Sequence, residues 1–243
     1  PDWSKRTFLK SAAAAAATLP LVTGAEAKPR ADLPKRWNRA ADVVVLGYGG
    51  AGACAAIAAK DAGADVVIFE KCSEGGGNTA VSSGGMMIPN NRDRAYTYLA
   101  KTYAFANSVM DEELLSAFVD EAMKSKDFLM SLAPDQKLYI YGHAGFQNIP
   151  ESDAIDKWRF RTPKGQKTRG GDMLFNNYRY AVETVRKIPV VYNARALELI
   201  TENDEVLGVW VEINGKKVAV KARRGVVLAT GGIDMDPEMV DYY

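Results

Sequence analysis

An α/β fold with a parallel sheet and an added β-meander is what this sequence predicts, on three observations. A β-branched run, Asp42-Val43-Val44-Val45-Leu46, leads through glycines into a small-residue helix over 53–62. A second apolar run, Val66-Val67-Ile68-Phe69, follows at once. Strand, helix and strand in so short a span are the pattern of two parallel strands joined by a crossover helix. Farther on, strand-like runs at 190–200, 205–211 and 217–222 are separated by Glu202-Asn203-Asp204 and Asn214-Gly215, the turn chemistry of a meander. The chain then returns through Gly225-Val226-Val227-Leu228-Ala229, another short run of the kind that fills a buried parallel sheet.

The first strand runs into Gly47-Tyr48-Gly49-Gly50-Ala51-Gly52, a G-x-G-x-x-G whose context is complete: strand before, helix after, second strand, and an acid, Glu70, at that strand's end. Gly47 permits the tight turn. Gly49 and Gly50 let backbone approach a pyrophosphate with no Cβ in the way, and Gly52 lets the helix lie close on the strand. The helix N-terminus presents unpaired N–H groups and roughly half a positive charge to the phosphates. Glu70 stands 18 residues after Gly52, placed to accept hydrogen bonds from ribose hydroxyls. A Rossmann-like dinucleotide-binding domain is the expectation.

The next segment distinguishes the dinucleotide. Lys71-Cys72-Ser73-Glu74-Gly75-Gly76-Gly77-Asn78-Thr79 is followed closely by Ser82-Ser83-Gly84-Gly85-Met86. Two glycine clusters separated by small hydroxyl residues make a poor secondary-structure element and a good close-contact surface for a large flat ligand. A simple NAD site needs no such second loop. Here the sequence resembles the FAD-binding family of fumarate reductase and succinate dehydrogenase flavoprotein subunits, which also contains 3-oxosteroid dehydrogenases and urocanate-type reductases. The resemblance covers residues 40–90 and 170–243, the latter through the meander and the Ala229-Thr230-Gly231-Gly232 that follows it.

The resemblance implies FAD as cofactor, with Gly47, Gly49, Gly50, Ala51 and Gly52 at the pyrophosphate and Glu70, beside Lys71, at the adenosine ribose. It puts Gly77, Asn78 and Thr79 on the flavin side, and Ser83, Gly84 and Gly85 at the pyrophosphate–flavin region through their backbone. Ala196 meets the adenine edge through its main chain, and Ala229, Thr230 and Gly231 lie against the dinucleotide. Members that hold FAD covalently do so through a histidine just before the matching threonine. This chain has Asn78 there, so non-covalent FAD is expected. Members of the family continue into a capping domain and a final FAD-binding segment, which carry the proton donor and the carboxylate-binding residues. No residue here matches those positions. The expectation is therefore an FAD-binding domain over 42–243, incomplete at its C-terminus and with the capping domain missing, and no catalytic residue is nominated.

Between the two matching stretches, helices are expected over 93–105 and 111–132, the second opened by Asp111-Glu112-Glu113, acids that favour a helix N-terminus. Residues 133–171 read as a loop rich in aromatics and cations, among them Trp158, Arg159, Arg161, Lys164, Lys167 and Arg169. Such a loop is either simply solvated or attractive to an anion, whether an anionic substrate or the flavin phosphates. Gly170-Gly171-Asp172 opens a helix running to about Lys187.

Residues 1–27 read as an export signal. A basic segment, Ser4-Lys5-Arg6-Thr7-Phe8-Leu9-Lys10, precedes an Ala-rich apolar run and the small-residue site Ala25-Glu26-Ala27, the order of regions in a secretory signal. It resembles a bacterial twin-arginine signal with Lys5 in the place of the first arginine. Residues 28–41 form a polar linker. The location implied is periplasmic or otherwise extracytoplasmic. Residues 28–243 hold 28 basic and 28 acidic side chains, a neutral balance that gives nucleic acid no electrostatic footprint. No window reaches the length of an integral membrane span. Cys54 and Cys72 have no C-x-x-C spacing, Cys54 falls on the apolar face of the first helix, and His143 has no second ligand near it, so no metal site is expected.

The expected function is that of an exported FAD-dependent oxidoreductase acting on CH–CH groups, with a small-molecule substrate of the fumarate-like enoate kind. A 3-oxosteroid dehydrogenase activity is the alternative within the class, and a non-catalytic electron-transfer module is the alternative outside it. With no C-x-x-C-H for haem attachment, electrons must come from an external donor protein or domain.

Overall fold

The computed structural model describes residues 33–106, 108–132, 135–161, 169–233 and 237–242. The proposed export signal therefore lies outside the described residues. β1 (Arg39–Leu46) leads into α1 (Gly50–Asp61) and β2 (Val66–Phe69), and β1 and β2 pair in parallel with Val43 opposite Val66 and Leu46 opposite Phe69. The side chains of β1 alternate between two cores, as a strand's period of two requires. Val45 packs with Ala53, Ala56 and Ile57 of α1, whereas Val44 and Leu46 pack with Val209, Val211 and Val220. Both faces of β1 are thus covered, which is why its sequence is continuously apolar.

Among the described residues the main sheet has six strands, in the order β6 (Val190–Val191), β2, β1, β9 (Lys216–Leu228), β8 (Glu205–Ile213), β7 (Ala194–Glu202). The expected single strand over 190–200 is instead two. β6 pairs in parallel with β2, and β7 enters the meander. The break is Asn193, whose φ of 51° is a left-handed conformation that asparagine tolerates better than most residues. β8 and β9 complete the meander. The strands expected separately at 217–222 and 225–229 are one strand, β9. It pairs antiparallel with β8 over Lys216–Lys221 and parallel with β1 over Val220–Leu228. Arg223 and Arg224, between the two expected runs, sit at a register shift opposite Ala41 and Val43. One strand therefore serves both the meander and the parallel sheet.

The region expected to be a loop contains two strands. β4 (Leu138–His143) and β5 (Ile155–Phe160) join β3 (Met86–Pro89) in an antiparallel sheet ordered β3-β5-β4. Their alternation was hidden by cations: Leu138, Trp158 and Phe160 face the first core, while the residues between them carry polar tips. Lys164 and Lys167 lie outside the described residues. Between β2 and β3, the glycine-rich stretch also yields a short helix, α2 (Gly77–Val81), where no element was expected.

α3 (Arg92–Phe105) and α4 (Glu112–Met123) are capped by Asn91 and Asp111, whose side chains accept from the amides of Arg94 and Leu114. The helix expected over 111–132 is divided at Lys124 into α4 and α5 (Ser125–Leu132). α6 (Gly170–Arg179) opens at the glycine pair as expected, then continues as a π-helix over Tyr180–Val185. α7 (Pro237–Tyr242) is the last element. Among the described residues no helix is long and apolar enough to cross a membrane.

At the edge opposite the glycine turn, Arg223 donates to Asp42 at 2.7 Å and to Asp65 at 3.0 Å, and the Asp65 amide donates to Asp42 at 2.9 Å. The Asp65 amide first, and Arg223 second, hold the Asp42 carboxyl below the usual carboxylate range. A depressed folded-state pKa stabilises above the unfolded-state value and loses that contribution as the pH falls through the folded one. Asp42→Asn and the wild type should therefore differ in urea stability at neutral pH, begin to approach each other near about pH 4, and converge only once the pH has fallen through the lowered folded-state value. In the buried sheet, Ile68→Ala should cost about 2–5 kcal/mol of unfolding free energy, because Ile68 is fully buried and its neighbours cannot close the cavity.

Candidate functional site

Both glycine clusters meet at the C-terminal end of the parallel strands. Gly47 takes a φ of 99°, and a Cβ there would overlap the carbonyl of Ala229; a Cβ on Gly52 would overlap the carbonyl of Gly47. Three backbone segments thus touch with no side chain between them. The Ala229 amide donates to Leu46 at 2.8 Å, which lays Ala229, Thr230 and Gly231 beside the turn. Gly49 differs from its neighbours. Its backbone is extended, and a Cβ there would find its nearest protein atom, the carbonyl oxygen of Gly76, at 3.6 Å. Protein packing does not require a glycine at this position, and the bare backbone leaves room for a ligand to approach closely.

The second loop is joined to the first by main-chain and hydroxyl contacts. Gly76 N–H donates to the Tyr48 carbonyl at 2.7 Å, Gly49 and Gly76 form a parallel bridge, and Gly50 N–H donates to Thr79 Oγ1 at 3.0 Å. The Thr79 hydroxyl is therefore occupied as an acceptor on the first turn of α1. The Ala51 position is exposed and belongs to the first-turn amides that an α-helix leaves without internal acceptors. No acidic side chain lies in that turn, and the N-cap residue supplies no side-chain cap. This is a cradle with donors and no protein anion, and it fits a pyrophosphate.

Glu70 is 9% exposed. Its Oε2 accepts from Tyr48 N–H at 2.8 Å and its Oε1 from Cys72 N–H at 2.9 Å. The carboxylate thus ties the end of β2 to the middle of the glycine turn, and each oxygen retains a lone pair for a ribose hydroxyl. The Ala194 amide donates to the Glu70 carbonyl and the Asn193 amide to that of Cys72. This brings the β6–β7 corner, two residues before half-buried Ala196, to the same end of the sheet. Lys71 is exposed on the surface beside it.

Beyond α2, Gly84 (φ 68°) presses on Gly170 and Gly171, with the Gly171 amide donating to the Ser82 carbonyl at 3.1 Å. Asn78, Ser83 and Gly85 are exposed along this stretch. Sequence reasoning did not foresee that Gly170 and Gly171 are needed because the Ser82–Gly84 backbone lies against them. It also missed Tyr48, whose ring is fully buried beneath the glycine turn, edge-on to Phe175 at 5.2 Å. Burial, and then the charge of Glu183, push the Tyr48 hydroxyl's pKa up, so it stays protonated. Burial likewise raises the Cys54 thiol, which packs against the first core as expected. A separate cavity of about 580 Å³, lined by Lys126, Met130, Gln136, Lys137 and Trp158 among others, borders none of the glycine loops.

The FAD binding domain model matches residues 42–241. The chain belongs to the FAD binding domain family. FAD is therefore its cofactor, and the amide cradle described above fits its pyrophosphate. The chain is 30% identical over 210 residues to the NADH:fumarate oxidoreductase of Klebsiella pneumoniae (strain 342), covering 83% of this chain and 21% of that protein. It is 28% identical over 255 residues to the acrylate reductase flavoprotein subunit of Shewanella woodyi, covering 97% of this chain and 47% of that one. Among solved structures it resembles the 3-ketosteroid-Δ4-(5α)-dehydrogenase of Rhodococcus jostii RHA1 in complex with 4-androstene-3,17-dione. That match has a TM-score of 0.74 and 28% identity, over 88% of this chain and 50% of that one. The chain spans at most half the length of each of these three relatives.

Two substitutions separate packing from ligand approach. Gly49→Ala should leave the melting temperature of the FAD-free protein unchanged and weaken FAD binding by ~100-fold, about 2.7 kcal/mol. Gly52→Ala should destabilise the fold itself, read as a lower melting temperature with or without FAD. Glu70→Gln places an amide NH2 opposite one of two backbone donors. It should cost about 1–3 kcal/mol of stability and weaken FAD binding, measured by flavin fluorescence titration.

Proposed function

We propose that the protein is an exported FAD-dependent oxidoreductase acting on CH–CH groups, and that it reduces the activated C=C bond of an α,β-unsaturated carboxylate. When bound, FAD supplies hydride transfer from N5 to the β-carbon. The chain's own part is to bind and orient. The free first-turn amides of α1 at Ala51 and Gly52, with the close-lying backbone of Gly49 and of the Gly76–Gly85 stretch, hold the dinucleotide, Glu70 fixes the ribose, and Ala196 meets the adenine edge. Ala229, Thr230 and Gly231 close the near side, with Lys71 at the rim. FAD is held non-covalently, since Asn78 stands where a covalent histidine would. Electrons come from a separate donor protein or domain, and residues 1–27 direct export to the periplasm.

The observation that carries the enoate reading is positive charge on β5. Arg159 on β5, over Tyr141 beside Gly85, and Arg161 just after the strand have no ion-pair partner among the described residues. The names of the fumarate- and acrylate-reducing relatives support it. The likeness to a steroid-bound dehydrogenase supports the second reading, a 3-oxosteroid dehydrogenase.

One preparation tests both points. The FAD-loaded protein, expressed from its complete gene, is reduced and then offered enoates and 3-oxosteroid enones. Reoxidation by fumarate or acrylate is expected, and steroid-only turnover would reverse the order. Acid precipitation should release all the flavin into the supernatant. Flavin retained on the polypeptide would refute the non-covalent reading.

A further inference from the structure

The outward face of the β4–β5 hairpin is built from two stacked pairs. The Arg159 guanidinium lies 4.6 Å from the centre of the Tyr141 ring and that of Arg161 4.8 Å from the Tyr139 ring. The alternate residues Leu138, Trp158 and Phe160 pack into the first core, so both pairs share the opposite side. The β4–β5 register shifts between Ile140 and Gly142, which leaves Tyr141 as the extra residue of a bulge. Bulges re-aim a side chain, and this one brings the Tyr141 hydroxyl to the place a Cβ on Gly85 would occupy. Arg159 Nε lies 3.2 Å from where a Cβ on Gly170 would stand. The end of the second glycine loop, the start of α6 and the stacked arginine therefore converge at one point.

Among the described arginines, Arg159 is distinguished by a buried Nε with no hydrogen-bond partner. Arg92, Arg94, Arg186 and Arg223 each pair with at least one carboxylate. Arg159 pairs with none among the described residues. A buried donor without an acceptor carries the full cost of its lost hydration. The Tyr141 ring face attracts the guanidinium but gives its N–H groups no acceptor. A planar fork seated on an aromatic ring, partly desolvated and lacking a counter-ion among the described residues, has the form that receives a carboxylate through two parallel hydrogen bonds.

We propose that Arg159, oriented by Tyr141, is a binding residue for a substrate carboxylate beside Gly85. This rests on the enoate reading above and assigns one of its binding groups to this domain.

The test uses the FAD-loaded protein from the complete gene, with Arg159→Gln, Arg159→Lys and Tyr141→Leu. KM and kcat are measured for fumarate and for its dimethyl ester, and malonate binding to the oxidised protein is followed through the flavin absorption spectrum. Arg159→Gln should raise KM for fumarate about tenfold or more, change kcat less, and weaken malonate binding in parallel. Its preference for fumarate over the ester should fall by the same factor, and its FAD affinity should be unchanged. Arg159→Lys, with charge but no fork, and Tyr141→Leu, with an unheld fork, should fall between. Unchanged fumarate KM and malonate affinity in a folded, flavin-loaded Arg159→Gln protein would overturn the proposal. A loss of FAD affinity in place of malonate affinity would also overturn it, by assigning the arginine to the cofactor. Steroid-only turnover by the wild type, with malonate binding still lost in Arg159→Gln, would sink the enoate reading and support the anion site alone.

Discussion

The contact of Gly52 with the Gly47 carbonyl, and of Gly47 with Ala229, is the constraint on which the site depends. At this point the end of β1, the start of α1 and the end of β9 touch through backbone alone. A single Cβ at either glycine would push the helix off the sheet or the last strand away from the turn. Because no side chain intervenes, the free amides of α1 stand directly above the ends of the parallel strands, where open α/β sheets bind ligands. Glu70 then fastens the turn from the side, and Gly76 and Thr79 fasten it from above.

From that point the architecture extends along one line. The short helix α2 carries the backbone from the pyrophosphate cradle to Gly84 and Gly85, and the Gly84–Gly170 contact ties that loop to α6. β3 follows immediately and pairs with β5, so the small antiparallel sheet lies beside the loop. The sheet's buried face completes the core, and its outward face brings tyrosine and arginine to the end of the loop. Cofactor cradle and cationic face are thus joined by hydrogen-bonded backbone. The protein's contribution is position and charge, applied to chemistry that belongs to the flavin.

The parts legible in the sequence are those where a local pattern and a local steric need coincide. β1, α1 and β2 carry both a clean period and glycines whose role is set within a few residues, and the Glu70 position follows from the same spacing. The break at Asn193 inside the run expected as one strand over 190–200 was missed, although an asparagine, which tolerates the left-handed conformation, was the signal available. The 217–222 and 225–229 runs were read as separate strands because the charged Arg223-Arg224 pair interrupts the apolar pattern at what is a bulge inside one strand. Residues 133–171 looked like loop because their outward positions hold Arg159 and Arg161; the inward alternation of Leu138, Trp158 and Phe160 was the signal available. The pairing of Gly84 with Gly170 and the seating of Tyr48 beneath the turn arise only from tertiary packing between segments far apart in the chain, and no periodicity announces them.

Amide hydrogen exchange of the folded protein with and without FAD tests the central claim most directly. The account expects FAD to slow exchange within residues 47–52 and 76–85, with the amides of β4 and of the β8–β9 hairpin little changed. FAD binding that left both glycine stretches exchanging at their free rates, or protection confined to other elements, would contradict it.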